Sequence, residues 1–126
     1  LDVNGNLFMM YQKNTISRLS KSFALRAIKL YKYLIEEKHE YIMAKQVYRS
    51  GTSIGANIAE SRNAQSKADF INKLSIALKE ADETMYWLEL LHESENIDDK
   101  QFESMANDLN VIIGTLIRII KKLRNG

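Results

Sequence analysis

Apolar residues recur every three to four positions along most of the chain, a spacing that places them on one face of a helix. The first helix is predicted from about Ser17 to His39, and the second from about Met43 to Arg62. Their buried faces are expected to contain Leu19, Phe23, Ala27, Leu30 and Leu34 in the first, and Val47, Ile54 and Ile58 in the second. The chain contains no proline, so no residue in it forces these helices to break.

Capping residues mark the starts of two further helices. Ser66 with Asp69 three positions later resembles a capping box at the start of the third helix. Asp98 is the predicted N-cap of the fourth helix, where the helix dipole favours a negative charge. The fourth helix keeps an apolar repeat of about 3.5 residues, which is typical of coiled-coil-like packing. The repeat consists of Phe102, Met105, Leu109, Ile112, Leu116, Ile119 and Leu123.

Four helices joined by short connections predict an all-α fold, an antiparallel up-and-down four-helix bundle. Residues 1–14 show no clear apolar period, and we expect them to form a flexible N-terminal lead-in. Residues 15–126 are then predicted to form the bundle domain.

Composition agrees with a single globular domain. Of the 126 residues, 45% are hydrophobic and 27% are charged, within the range of ordinary folded proteins. The absence of cysteine excludes disulfides and thiolate metal sites, and it favours a reducing compartment. No stretch reaches the roughly 18 apolar residues of a membrane span. We therefore expect a cytoplasmic protein that has no membrane-embedded part.

Small residues interrupt the second helix. Gly51, Gly55 and Ala59 are spaced four apart and share one face. Each glycine costs about 1 kcal/mol relative to alanine in a helix, so this face is expected to need a close backbone approach. Close packing of another helix is the favoured interpretation, and a ligand or anion lying on this face is the alternative.

Three segments resemble a known family. Residues 53–60 (SIGANIAE), 65–70 (QSKADF) and 77–84 (ALKEADET) are similar to the bacterial four-helix bundle proteins named for the 23S rRNA-intervening sequence. The resemblance covers about residues 15–124. It implies a small cytoplasmic bundle that assembles as a ring, typically a pentamer, with suspected nucleic-acid binding and no established enzymatic activity.

Charge is unevenly distributed. Residues 1–79 contain 13 Lys and Arg against 6 Asp and Glu, residues 80–108 contain 1 against 10, and residues 109–126 contain 4 against 0. In an antiparallel bundle, the starts of the first and third helices lie beside the ends of the second and fourth. This end, called the basic end below, collects Arg18, Lys21, Arg62, Lys67, Lys73, Arg118, Lys121, Lys122 and Arg124. The opposite, acidic end collects Glu36, Glu37, Glu40, Glu89, Glu93, Glu95, Asp98, Asp99 and Glu103.

Solvation of helix ends accounts for part of this segregation. Arg18 and Lys21, however, lie near the start of a helix, where the dipole disfavours cations. The cations of the basic end are therefore the candidate residues for binding RNA or DNA phosphates.

The fourth helix has more apolar residues than one core-facing stripe requires. Seven of the ten residues from Val111 to Ile120 are apolar. A second buried face is expected, and Ile113, Gly114, Ile117 and Ile120 are the candidates for a subunit contact. A wide core within a single chain is the alternative.

Polar residues of the second and third helices raise the question of internal ion pairs. Glu60, Glu80 and Glu83 could face inward, and buried charges need partners. The counter-ions expected for them are Arg26, Lys73 and Lys79.

No arrangement typical of catalysis is found. Glu89 and His92 have a Glu-x-x-His spacing, as do Glu36 and His39, but both pairs lie near helix ends, whereas di-iron sites lie in mid-bundle. We predict no catalytic residue, metal site, cofactor or small-molecule substrate. The predicted function is a non-catalytic, homo-oligomeric bundle that binds nucleic acid, or a nucleic-acid-handling partner, through its basic end. A structural protein–protein adaptor is the alternative.

Overall fold

The computed structural model describes the backbone of residues 3–126 and the side chains of residues 15–126. This part of the chain forms four helices: α1 (Val3–Glu36), α2 (Ile42–Ser61), α3 (Lys67–Glu93) and α4 (Asp99–Asn125). The described backbone contains no strand. The predicted all-α fold is confirmed.

Helix α1 begins at Val3, well before the predicted start at Ser17, and ends at Glu36 rather than near His39. Arg18 and Lys21 therefore lie several turns inside α1, and the prediction that they lie near a helix start, where the dipole disfavours cations, is wrong. Apolar periodicity identifies the part of a helix that packs on its neighbours, whereas the helix itself can continue where no residue stops it. The sequence predicts a flexible lead-in for residues 1–14. The side chains of these residues lie outside the described part of the structure, so the boundary between the lead-in and the bundle stays a prediction.

The four described helices pack around a square, in which the backbone of each lies close to its two neighbours and farther from the helix diagonally opposite. Specific pairs show that neighbouring helices are antiparallel. Gly55 of α2 lies against Ser20 of α1, and Gly51, one turn earlier in α2, lies against Ala27 of α1. Between α2 and α3, Glu60 pairs with Lys73, whereas Arg49, earlier in α2, pairs with Glu80, later in α3. The predicted up-and-down topology is therefore confirmed.

The core receives fully buried side chains from all four helices, including Phe23, Leu34, Ile54, Ile58, Leu74, Leu88, Leu109 and Leu116. In α4, the predicted repeat from Met105 to Leu123 is buried, and Phe102 is partly buried against the core. Ile120 is also buried, at 5% exposure. It belongs to the core of this chain and not to an exposed contact face, which corrects the sequence-based assignment.

Both predicted helix starts are confirmed by their hydrogen bonds. The Ser66 hydroxyl accepts the Asp69 backbone N–H at 3.0 Å, and the Asp69 carboxylate accepts the Gln65 N–H at 3.2 Å. Asp98 and Gln101 form a reciprocal capping box, with distances of 2.7 and 2.8 Å. These caps satisfy N–H groups that have no partner within their helices.

Among the described residues, none of the helices combines the length and the apolar character that a bilayer crossing requires.

Candidate nucleic-acid interface

The antiparallel order brings cations from all four helices to the basic end. Most of these side chains are exposed: Arg18, Lys21, Arg62, Lys67, Arg118, Lys121, Lys122 and Arg124. Lys73 is half-buried, with its Nζ 3.9 Å from Glu60 Oε2. Glu60 and Asp69 are the described carboxylates in this region, and Asp69 is engaged at the start of α3. The basic end therefore carries a large excess of positive charge.

A groove of about 200 Å³ lies between α1 and α2 near the basic end. One cation comes from each helix, Lys21 from α1 and Arg62 from α2. Hydroxyl groups are contributed by Ser17, Ser20 and Thr52. Within residues 15–126, whose side chains are described, no carboxylate lines this α1–α2 groove. The Ser20 and Thr52 hydroxyls donate to helix carbonyls, so Ser17 is the lining hydroxyl left to donate to a ligand. Together with the two cations, it suits an anion.

The small residues of α2 divide between two roles. A Cβ added at Gly51 would lie 2.8 Å from the Ala27 Cβ, which is closer than such atoms approach, so this glycine permits the packing of α2 on α1. A Cβ at Gly55 would lie 3.4 Å from the Ser20 carbonyl oxygen. Gly55 and Ala59 line the α1–α2 groove, and Ala59 is exposed. Close packing thus accounts for Gly51, and Gly55 both contacts the Ser20 backbone and lines the groove together with Ala59.

The predicted subunit contact on α4 is only partly exposed. Val111 and Ile117 are 54% and 48% exposed, and a Cβ at Gly114 would meet no atom within 4 Å. Ile113 is partly buried against the core. With Ile120 buried, the apolar surface available on this helix consists of Val111, Gly114 and Ile117, called the α4 stripe below.

Comparison with known proteins identifies the family of this bundle. The family model described as 23S rRNA-intervening sequence protein matches residues 12–118, which is most of the chain. The chain belongs to this family. It is also similar to a crystal structure from Bacteroides thetaiotaomicron, described as a protein with unknown function from the S23 ribosomal protein family. The two chains are 56% identical with a TM-score of 0.86, over 87% of this chain and 98% of the other. No curated protein matches the chain.

In this family member, ion pairs join neighbouring helices at places that the sequence only partly predicts. Lys73, one of the expected counter-ions, pairs with Glu60, but the Glu60 side chain is exposed and does not face inward as predicted. Arg26 pairs instead with Asp108 of α4. Arg49 of α2 is the unpredicted counter-ion, since it binds both Glu80, at 3.2 Å, and Glu83. Glu80 and Glu83 are three residues apart, so they lie on the same face of α3. This spacing is the sequence feature that could have predicted one cation of α2 binding both.

Glu83 also contacts the tryptophan of α3. Its Oε2 accepts the Trp87 indole N–H at 3.0 Å, and the Trp87 ring packs edge-on against Tyr86 with ring centres 5.4 Å apart. The Arg49 interactions join α2 to α3, and the hydrogen bond within α3 holds the Glu83 carboxylate that Arg49 binds.

The acidic end differs from the basic end in its chemistry. It has a groove of about 550 Å³ lined by Glu93, Glu95, Asp98 and Asp99, which would repel phosphate. His92 Nε2 lies 2.6 Å from Asp99 Oδ1, and the imidazole stacks on Phe102 with ring centres 4.5 Å apart. Within the described residues, no group of three or more His, Cys, Asp or Glu side chains is arranged to hold a metal ion.

Proposed function

We propose that this protein is a non-catalytic, cytoplasmic nucleic-acid-binding bundle whose basic end contacts the phosphates of RNA or DNA. The observation that supports this function is the convergence of cations from four helices at one end of the bundle, with few carboxylates among the described residues there. Phosphate contacts by Lys and Arg release condensed counterions, and this release drives sequence-independent binding.

Binding is expected to depend on the backbone of the nucleic acid more than on its bases. Among the described side chains, the exposed aromatic residues are Tyr41, Tyr48 and Tyr86. They lie outside the basic end, so these three are not placed to stack on bases there. Contacts to phosphate fix position but carry little sequence information. The proposed activity is therefore tolerant of sequence.

Self-assembly is part of the proposal. The α4 stripe offers apolar area and a close-approach position at Gly114 for a second copy. A ring, typically a pentamer as the family resemblance implies, would repeat the basic end in every subunit. Repetition raises affinity for a long polyanion because later contacts form at high effective concentration.

The test is a binding titration of labelled single-stranded RNA and DNA at two salt concentrations. Reversing Lys121, Lys122 and Arg124 to Glu is expected to abolish most of the affinity and to lower its salt dependence. The matched control reverses Lys38, Lys45 and Lys100, three exposed lysines at the acidic end, with the same change in net charge. Equal losses in both triple variants would contradict a role for the basic end.

A protein–protein adaptor is the second candidate function. Ile42 at the start of α2 is 79% exposed beside exposed Tyr41, at the acidic end of the bundle. Exposed apolar groups rimmed by charge are typical of protein contacts. Failure of the wild-type protein to bind either nucleic acid at low salt would favour this function.

A further inference from the structure

We propose that the α1–α2 groove holds one phosphate of a nucleic-acid backbone, between Lys21 and Arg62. This inference rests on the proposed function and deepens it, because it assigns a defined contact within the basic end. The ligand chemistry is a phosphodiester, which carries one negative charge and several acceptor oxygens.

The charges around the groove are available for a ligand. Lys21 and Arg62 are both exposed, and neither forms an ion pair with another described residue. The nearest acidic residue along α2 is Glu60, whose carboxylate is directed to Lys73 of α3. Two cations without a carboxylate between them attract an anion into the space that separates them.

The Ser17 hydroxyl supplies an independent indication of a ligand. The residue is half-buried, but its Oγ is shielded from solvent and has no hydrogen-bond partner among the described residues. Helical hydroxyls ordinarily bond back to a carbonyl three or four residues earlier, as those of Ser20, Thr52 and Thr84 do here. A buried polar atom without a partner costs free energy and therefore calls for an explanation. A phosphate oxygen accepting from Ser17 provides one, because rotation about a single bond redirects the hydroxyl.

The size and floor of the groove select a small anion. Its volume of about 200 Å³ is below the roughly 300–1,000 Å³ of pockets that enclose whole organic ligands. Gly55 and Ala59 on the floor let a ligand approach the α2 backbone closely. One phosphate fits this description, with its nucleosides remaining outside.

The first experiment separates ligand binding from folding at Ser17. Ser17→Ala removes a hydroxyl that has no partner in the free protein, so unfolding in urea is expected to be unchanged or shifted to higher urea. Affinity for single-stranded RNA or DNA is expected to fall about tenfold, as for a lost hydrogen bond to a charged group. A purely structural serine would show the reverse, with lost stability and unchanged affinity, and that result would overturn the proposal.

The second experiment blocks the groove at constant charge. Ala59→Leu adds a side chain at an exposed groove position without changing any ion. It is expected to lower affinity at least tenfold while preserving the helical circular-dichroism signal. Ala68→Leu, at an exposed position of α3 outside the groove, is the matched control and is expected to bind like the wild type. Unchanged affinity in Ala59→Leu would overturn the proposal.

The third experiment compares two pairs of cations. The double variant Lys21→Gln/Arg62→Gln removes both cations of the groove. It is expected to weaken binding more than the double variant Lys29→Gln/Lys32→Gln, which removes two exposed lysines of α1 outside the groove. Equal weakening would overturn the proposed groove site while leaving the proposed function intact. A wild-type protein that binds no nucleic acid would overturn both.

Inorganic phosphate tests the other source of the anion. If it binds the wild type while the groove variants keep their nucleic-acid affinity, the groove is a free-phosphate site and the proposal fails.

Discussion

Gly51 of α2 lies so close to Ala27 of α1 that a Cβ at the glycine would be 2.8 Å from the alanine Cβ. The contact is between one helix backbone and the smallest side chain of the other, and both residues are buried. Neither partner is a flexible side chain that could move aside, so the spacing of α1 and α2 is fixed at this point.

Gly51→Ala is therefore expected to destabilise the protein, although alanine is the better helix former. Overpacking costs about 1–3 kcal/mol, against which the gain in helix propensity is about 1 kcal/mol. Asn72→Ala, at an exposed position of α3, is the control, since it improves helix propensity without adding an atom to a packed interface. It is expected to raise stability by less than about 1 kcal/mol. Urea unfolding measures both, and changes of the same sign would contradict the packing role of Gly51.

Arg26 is expected to stabilise the packing of α1 on α4. Its guanidinium donates to the Ser104 carbonyl at 3.1 Å, the Ser104 hydroxyl at 2.6 Å and the Asp108 carboxylate at 2.6 Å. Arg26→Lys cannot reproduce this fork and is expected to cost about 1 kcal/mol, a modest value because the ion pair is partly exposed. Lys29→Arg on the exposed face is the control. A double-mutant cycle with Asp108→Asn that gave no coupling energy would show that the ion pair contributes nothing.

Self-association through the α4 stripe is the third expectation. Ile117→Glu places a charge on exposed apolar surface and is expected to shift the protein toward monomer in light scattering. Leu25→Glu replaces an equally exposed apolar residue on the outer face of α1 and serves as the control. If the α1 variant dissociates and the α4 variant does not, the subunit contact lies on α1 instead.

The sequence predicts the helices well because one physical rule, burial of an apolar stripe, determines most of their positions. The starts of α3 and α4 follow from local hydrogen bonds of Ser66 and Asp98, which depend only on nearby residues. The basic end follows from topology, since antiparallel order alone decides which charges become neighbours.

Features that depend on three-dimensional detail are less predictable. Ile119 and Ile120 are adjacent in sequence and both are buried, as are Met105 and Ala106 near the start of α4. The buried face of α4 is thus wider than one stripe, so a repeat of 3.5 residues cannot decide which isoleucine is exposed. Arg49 was not expected as a counter-ion, because its partners depend on the register between α2 and α3. The Ser17 hydroxyl has no hydrogen-bond partner among the described residues. This depends on one side-chain torsion angle and on the atoms nearby, which the spacing of residues in the sequence does not reveal.

The chain has a single tryptophan, Trp87, whose indole N–H donates to the Glu83 carboxylate. Arg49 binds the same carboxylate. Trp87 therefore acts as a built-in optical probe for the interface between α2 and α3. It lies nearer the acidic end, so its emission can follow unfolding of the bundle without direct interference from a polyanion bound at the other end. Stability and ligand occupancy can thus be recorded separately, on unlabelled protein and in the same cuvette.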